Sequence, residues 1–203
     1  MSGGMELYLH MPFCVRKCAY CDFLSFPSGA ETQRMYAKRL MEDIDVMGKR
    51  YGEIPVETIF IGGGTPSVPD SGLIVEIMEH VRHAFHVADG AEISMEANPG
   101  TVTREKLTDY RKAGINRLSF GLQSANDREL KLLGRIHTWA EFLESFTLAR
   151  ECGFANLNID LMSALPGQTC ESWKETLSRV TDLDPEHISA YSLIIEEGTP
   201  FGE

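Results

Sequence analysis

Three cysteines, Cys14, Cys18 and Cys21, form a C-x3-C-x2-C arrangement directly after a short β-type run, in the stretch from His10 to Phe23. Three thiolates on one tight loop are soft ligands, suited to zinc or to an iron–sulfur cluster. Three is one fewer than the usual four, so a [4Fe-4S] cluster on this loop would leave one iron open to an outside ligand. A zinc ion completed by His10 or Asp22, or ordinary buried thiols, are the other readings of the same residues. Gly62-Gly63-Gly64-Thr65-Pro66 follows a second β-type run. Its glycines let the backbone approach a ligand closely and turn N–H groups toward an anion. Glu96 ends a third such run, Gln123 follows a fourth, and Asp160 ends a fifth. Each alone fits a cap or a turn; jointly they set two carboxylates and an amide around one mouth. Arg135, in Leu133-Gly134-Arg135-Ile136-His137, carries a charge suited to a carboxylate-bearing ligand.

Positioning these residues on one rim requires a repeated βα unit. Period-two and β-rich runs predict strands at residues 6–10, 57–61, 92–97, 116–121, 156–161 and 187–194. Tyr36, Leu40, Ile44, Met47 and Tyr51 form one helical stripe, and Ile74, Ile77, Met78, Val81 and Phe85 form another. Thr138 and Glu141 have the spacing of a capping box, opening a helix that Gly153 ends. Trp173, Leu177, Val180 and Leu183 mark a further helix. Alternating strands and helices call for a parallel sheet with right-handed crossovers, hence an α/β open sheet or partial barrel of six strands. The strand-to-helix loops then share one end of that sheet.

The chain has 203 residues, 43% of them hydrophobic, with 19 Lys plus Arg against 30 Asp plus Glu, a net charge of -11. That composition supports a folded core and excludes a disordered or collagenous chain. No basic stripe accompanies the acidic balance, so nucleic acid is not an expected partner. No apolar run approaches the roughly 20 residues of a membrane span, and residues 1–6 lack a secretory signal; a soluble, cytoplasmic protein is expected. Of the five cysteines, Cys152 and Cys170 lie near helix ends and read as core or neutral thiols.

Taken in order, Tyr8 to Cys14, Gly62 to Ser67, Glu96 to Gly100, Asn116 to Ser124, Asp160-Leu161 with Leu165 to Thr169, and Gly198 to Phe201 resemble the radical S-adenosylmethionine superfamily. Within it, they resemble the branch containing oxygen-independent coproporphyrinogen III oxidase and the HemW haem chaperones. The resemblance implies a partial (β/α)6 barrel spanning residues 1–203 as the core domain, with the family's C-terminal domain absent. It implies a [4Fe-4S] cluster on Cys14, Cys18 and Cys21, whose open iron is chelated by S-adenosylmethionine. Tyr8, Gly63, Gly64, Thr65, Glu96, Gln123, Arg135 and Asp160 match positions that contact this cofactor, and Tyr20 matches the aromatic between the second and third cluster cysteines. The chemistry implied is one-electron cleavage of a sulfonium C–S bond to a 5'-deoxyadenosyl radical.

The oxidases of this branch carry an additional cysteine two positions after the third cluster cysteine, and a longer N-terminal extension. Phe23 occupies that position here, and Tyr8 stands close to the first residue. Both features point to the haem chaperones, with haem or a porphyrinogen, a haem-accepting protein and an electron donor as partners. The runner-up is the oxidase itself, converting coproporphyrinogen III to protoporphyrinogen IX. A simple electron-transfer protein, with Cys152 or Cys170 as a fourth cluster ligand, is a third and different class.

Overall fold

The computed structural model describes residues 3–203. Met1 and Ser2, part of the N-terminal stretch read above as free of a secretory signal, lie outside the described residues. Strands β1 (Met5–Met11), β2 (Val56–Gly63), β3 (Val87–Ala97), β4 (Arg117–Gln123), β5 (Asn156–Ser163) and β6 (His187–Ser192) form one sheet in sequence order. Every neighbouring pair is parallel. Helices α1 (Ala30–Tyr51), α2 (Ser71–Ala84), α3 (Arg104–Lys112), α4 (Asp127–Leu132), α5 (Trp139–Glu151) and α6 (Cys170–Thr181) fill the connections. This is the α/β arrangement of a partial (β/α)6 barrel. Among the described residues, no helix is long and apolar enough to cross a membrane.

Alternation along the strands decides what the sheet can do. Ile59, Ile61, Ile93, Met95, Leu118, Phe120, Leu157 and Ile159 are buried and belong to the core shared with the helices. The intervening positions carry Glu96, Ser119, Gly121 and Asp160, which border a cavity. Successive side chains of a strand point to opposite faces, so one face holds the fold together and the other is left for polar chemistry.

The helix boundaries follow local chemistry. Thr138 accepts from the Glu141 backbone N–H while the Glu141 carboxylate accepts from the Thr138 N–H, the expected capping box. Thr169 and Ser172 do the same for α6, and Asp70, Thr103 and Asn126 cap α2, α3 and α4. α3 lacks the long stripe of α1 or α2, burying only Leu107 and Tyr110. The third strand starts earlier than its apolar run, at Val87, where the β2–β3 register shifts between Val56 and Thr58. The sixth ends earlier, at Ser192, leaving Ile194 and Ile195 exposed. Cys152 is half-buried against the core, whereas Cys170 is exposed at the first position of α6, so of the core or neutral roles expected Cys170 takes the neutral one.

Two polar hubs, one half-buried and one buried, brace the loops on the site's rim. The Lys106 ammonium donates to the carbonyls of Ser67 at 2.7 Å, Val68 at 3.2 Å and Pro69 at 2.9 Å, holding the chain that leaves the glycine loop. Burial pushes its pKa down. The Glu129 carboxylate accepts from Ser124 Oγ at 2.6 Å, Gln168 Nε2 at 3.1 Å and Ser172 Oγ at 2.8 Å, joining α4 to the loops after β4 and β5. Replacing Glu129 with Leu strands these donors, and each unsatisfied buried group costs about 1–3 kcal/mol. Glu129→Leu is expected to lower stability by roughly 2–4 kcal/mol, read as a lower urea midpoint at unchanged slope; an unchanged midpoint contradicts the hub.

Candidate functional site

The loops at the C-terminal ends of the strands enclose a cavity of about 480 Å3. Cys14, Cys18, Tyr20 and Cys21 line one side, from the loop after β1. Gly63, Gly64 and Thr65 line it from the loop after β2, Glu96 from β3, Gln123 from β4, Asp160 from β5, and Arg135 from the α4–α5 connection. Tyr8 is the anticipated residue that the cavity lining does not include. It is 58% exposed, stacks on Phe60, and its hydroxyl lies 3.0 Å from His10 Nδ1.

The glycine loop is shaped by its proximity to the cysteine loop. Gly64 N–H donates to the Met11 carbonyl at 2.8 Å, and Thr65 N–H to the Phe13 carbonyl at 2.7 Å. A Cβ on Gly64 would lie 2.8 Å from the Phe13 backbone, and Gly63 adopts φ +115°, a conformation that L side chains rarely take. Two glycines are thus required for the backbones of these loops to meet.

A chain of polar contacts runs beneath the thiols. Arg135 donates to Cys18 Sγ at 3.5 Å, to Asn98 Oδ1 at 2.6 Å and to the Gly121 carbonyl. Asn98 Nδ2 donates to Thr65 Oγ1 at 2.8 Å, and Thr65 Oγ1 lies 3.6 Å from Cys14 Sγ. Asn98 is the member that sequence reasoning missed as a site residue, although it stands two positions after Glu96. Tyr191, on the inward phase of β6, is a second omission, and it lines the cavity next to Ser192 and Ile194.

Gln123 owes its aim to a β-bulge. Gly121 pairs with Asp160 and Gln123 with Leu161, so Leu122 is extra in β4. Gln123 takes φ +76° and is buried, with Oε1 unpartnered. Arg135 Nε is likewise buried and unpartnered. Orphaned buried polar atoms are uncommon in native folds, and those of Gln123 and Arg135 belong to side chains at the cavity, where a polar ligand would satisfy them.

The electrostatics favour a ligand with positive charge. Burial pushes the Glu96 carboxyl up to about 7, against the hydrogen bond from Gly63 N–H at 2.9 Å; the Asp160 charge adds to the rise. Asp160 accepts from Ser119 Oγ at 2.9 Å and Asn158 Nδ2 at 2.8 Å. Burial also raises the Cys21 thiol and the Tyr20 phenol, which favours their protonated forms, and a coordinating metal deprotonates a thiol outright. Among the described residues, no three His, Cys, Asp or Glu side chains converge on a point fit for one ion. His10 is turned away, its Nε2 3.0 Å from the Leu24 carbonyl. Cys152 and Cys170 are outside the lining, which leaves the four-thiolate reading without a fourth thiolate.

A family profile described as the radical SAM superfamily matches residues 8–180. The haem chaperone HemW of Escherichia coli is 42% identical over 199 residues, which is 98% of this chain and 53% of that protein. HemW of Bacillus subtilis is 38% identical over 195 residues, covering 96% of this chain and 52% of that one. Among solved structures, coproporphyrinogen III oxidase (HemN) from E. coli superposes with a TM-score of 0.86 at 31% identity, over 94% of this chain and 44% of that one. The chain spans about half the length of the relatives it matches. The profile's superfamily is defined by a [4Fe-4S] cluster and S-adenosylmethionine.

The raised Glu96 carboxyl has a consequence for stability. A carboxyl near 4.5 in the unfolded chain and about 7 in the folded one keeps its proton longer when folded. Stability therefore falls as pH rises from about 4.5 to about 7, and levels off above. Glu96→Gln removes this slope, an effect of at most a few kcal/mol. Urea unfolding of both chains from pH 4.5 to 8 measures it; parallel profiles contradict the shift.

Proposed function

The chain belongs to the radical S-adenosylmethionine superfamily, and from that premise we propose that it is the core of a HemW-type haem chaperone. On this reading Cys14, Cys18 and Cys21 hold a [4Fe-4S] cluster, and S-adenosylmethionine occupies the cavity beside it. The observation that carries the cofactor assignment is the sharing of one cavity by the three thiols, the glycine loop, two carboxylates and the unpartnered Gln123 amide. When reduced, such a cluster supplies one electron to a sulfonium.

The protein's own residues bind, orient and shield. Gly63 and Gly64 bring backbone against the ligand, Glu96 and Asp160 offer carboxylates to ammonium or hydroxyl groups, and Gln123 offers an amide oxygen. Arg135 and Thr65 set hydrogen bonds toward Cys18 and Cys14, contacts of the kind that tune a metal site. Tyr20 covers the cavity wall between the second and third thiols. Residues 1–203 serve as the radical SAM core, and haem, a haem-accepting protein and an electron donor are partners of the whole protein. A soluble, cytoplasmic location goes with this reading.

The chaperone reading is supported by the 42% identity to HemW against 31% to the solved HemN, and by Phe23 at the position where the resemblance puts an oxidase cysteine. Anaerobic incubation of the reconstituted protein with coproporphyrinogen III and reductant is expected to give no decarboxylation. Formation of protoporphyrinogen would replace the chaperone with the oxidase.

Two further outcomes are expected. Cys18→Ser abolishes the cluster's visible absorbance after anaerobic reconstitution, while an unchanged spectrum removes the ligand assignment. Binding of S-adenosylmethionine by calorimetry strengthens as pH rises through about 7, the Glu96 value, because only the ionised carboxylate attracts its ammonium. The Glu96→Gln variant binds weakly at every pH in that range, and equal pH profiles for the two proteins would count against this contact.

A further inference from the structure

Asn98 joins the two halves of the polar chain beneath the thiols. Its side chain spans the gap between Arg135, which reaches Cys18, and Thr65, which reaches Cys14. Its backbone is held independently of both. The N–H donates to Ser67 Oγ at 3.2 Å, and the carbonyl accepts from the Thr101 N–H at 3.2 Å and from Thr101 Oγ1 at 2.7 Å. Space is constrained as well. A Cβ on Gly121 would lie 2.9 Å from Asn98 Oδ1 and 3.2 Å from Arg135 Nη2, so the glycine in β4 makes room for amide and guanidinium to meet.

The direction of this chain follows from its first member. A guanidinium has donors and no acceptor, so the amide oxygen of Asn98 must face Arg135 Nη2, at 2.6 Å. The amide nitrogen then faces Thr65 Oγ1 at 2.8 Å, and that hydroxyl oxygen must accept. Thr65 is 2% exposed. With its oxygen accepting from Asn98, its own hydrogen is left for Cys14 Sγ, 3.6 Å away. On the other side, the guanidinium that Asn98 and the Gly121 carbonyl hold turns Nη1 toward Cys18 Sγ at 3.5 Å.

We propose that Asn98 is a positioning residue whose amide aims Thr65 at Cys14 and Arg135 at Cys18, and so raises the reduction potential of a cluster on these cysteines; this rests on the cluster reading proposed for them. Hydrogen bonds to ligating sulfurs favour the more negative, reduced state, and the partners of metal ligands tune the metal. Asparagine suits the position because one side chain offers both an acceptor and a donor. An aspartate there still accepts from Arg135 but has no hydrogen for Thr65. The Thr65 hydroxyl then donates to the carboxylate and is withdrawn from Cys14. Leucine, of similar size, breaks both contacts without adding charge.

The test is an anaerobic redox titration of the reconstituted chain, followed by the cluster's visible absorbance, in a cycle of Asn98→Leu, Thr65→Val and the pair combined. Each single variant is expected to move the potential to more negative values. Because Asn98 acts partly through Thr65, Thr65→Val is expected to move it less in the Asn98→Leu background than alone. A loss of stability by itself does not move the potential of molecules that carry a cluster, and urea unfolding of the cluster-free proteins measures that loss separately. If Asn98→Leu fails to fold or to load, Asn98→Asp, of the same shape, replaces it in the cycle; its added charge is common to both arms, and the smaller effect of Thr65→Val is again expected. An unchanged potential in Asn98→Leu, or equal effects of Thr65→Val in both backgrounds, would overturn the positioning role while leaving the cluster in place. An unsubstituted chain with no cluster absorbance would overturn the cluster reading, and this role with it.

Discussion

The period-two alternation of six parallel strands is the constraint on which the rest depends. Parallel sheets are commonly buried on both faces, and their strands then read as continuous apolar runs. Here only one phase is apolar: Ile59 and Ile61, Ile93 and Met95, Leu118 and Phe120, Leu157 and Ile159 pack into the helical layer. The opposite phase carries Glu96, Ser119, Asp160 and Tyr191 toward the cavity. A slip of one residue in β3 or β5 would bury a carboxylate under the helices and turn Ile93 or Ile159 toward the ligand. Core packing therefore fixes not only the fold but which residues can meet a ligand.

Departures from that alternation occur where the site needs a different aim. The bulge at Leu122 keeps that side chain in the core while giving Gln123 a left-handed backbone and an orientation toward the cavity. Gly63 departs in the same way at the end of β2. The cysteine loop, which has little regular structure, is held by backbone bonds from Gly64 and Thr65 on one side and by its Ala19 bond to Leu133 on the other. Its geometry is set by neighbours that are themselves fixed by strands.

Much of this was legible from the residues. Strong apolar stripes revealed α1, α2 and α5, and the Thr138/Glu141 spacing gave the start of α5, because these signals are local. The cysteine spacing and glycine run announced chemistry before any fold was known. α3 was obscure because Leu107 and Tyr110 are the two residues it buries, too few to stand out as a stripe. Asn98 was passed over as a site residue because its role depends on Arg135 and Thr65, 37 and 33 positions away. Tyr8 shows the reverse: its place in a motif suggested cavity contact, while its edge-strand position leaves it beside His10 and Phe60.

The charges around the cavity constrain what can occupy it. Glu96 and Asp160 face it as acids, and the Asp160 charge adds to the cost of ionising the buried Glu96. Three cations also line it: Arg135 is engaged by Asn98, the Gly121 carbonyl and Cys18, Arg16 donates to the Gly134 carbonyl, and Lys17 donates to the Phe23 carbonyl. A ligand seated beside Glu96 and Asp160 meets two carboxylates, while the cations of the same cavity are each engaged by acceptors of the chain. A ligand with an ammonium and a sulfonium supplies positive charge beside the two acids, and its carboxylate can turn toward the buried, unpartnered Nε of Arg135. On the proposed reading, an ammonium brought against Glu96 would favour its ionised form, so the burial of one carboxyl group would favour a cationic ligand.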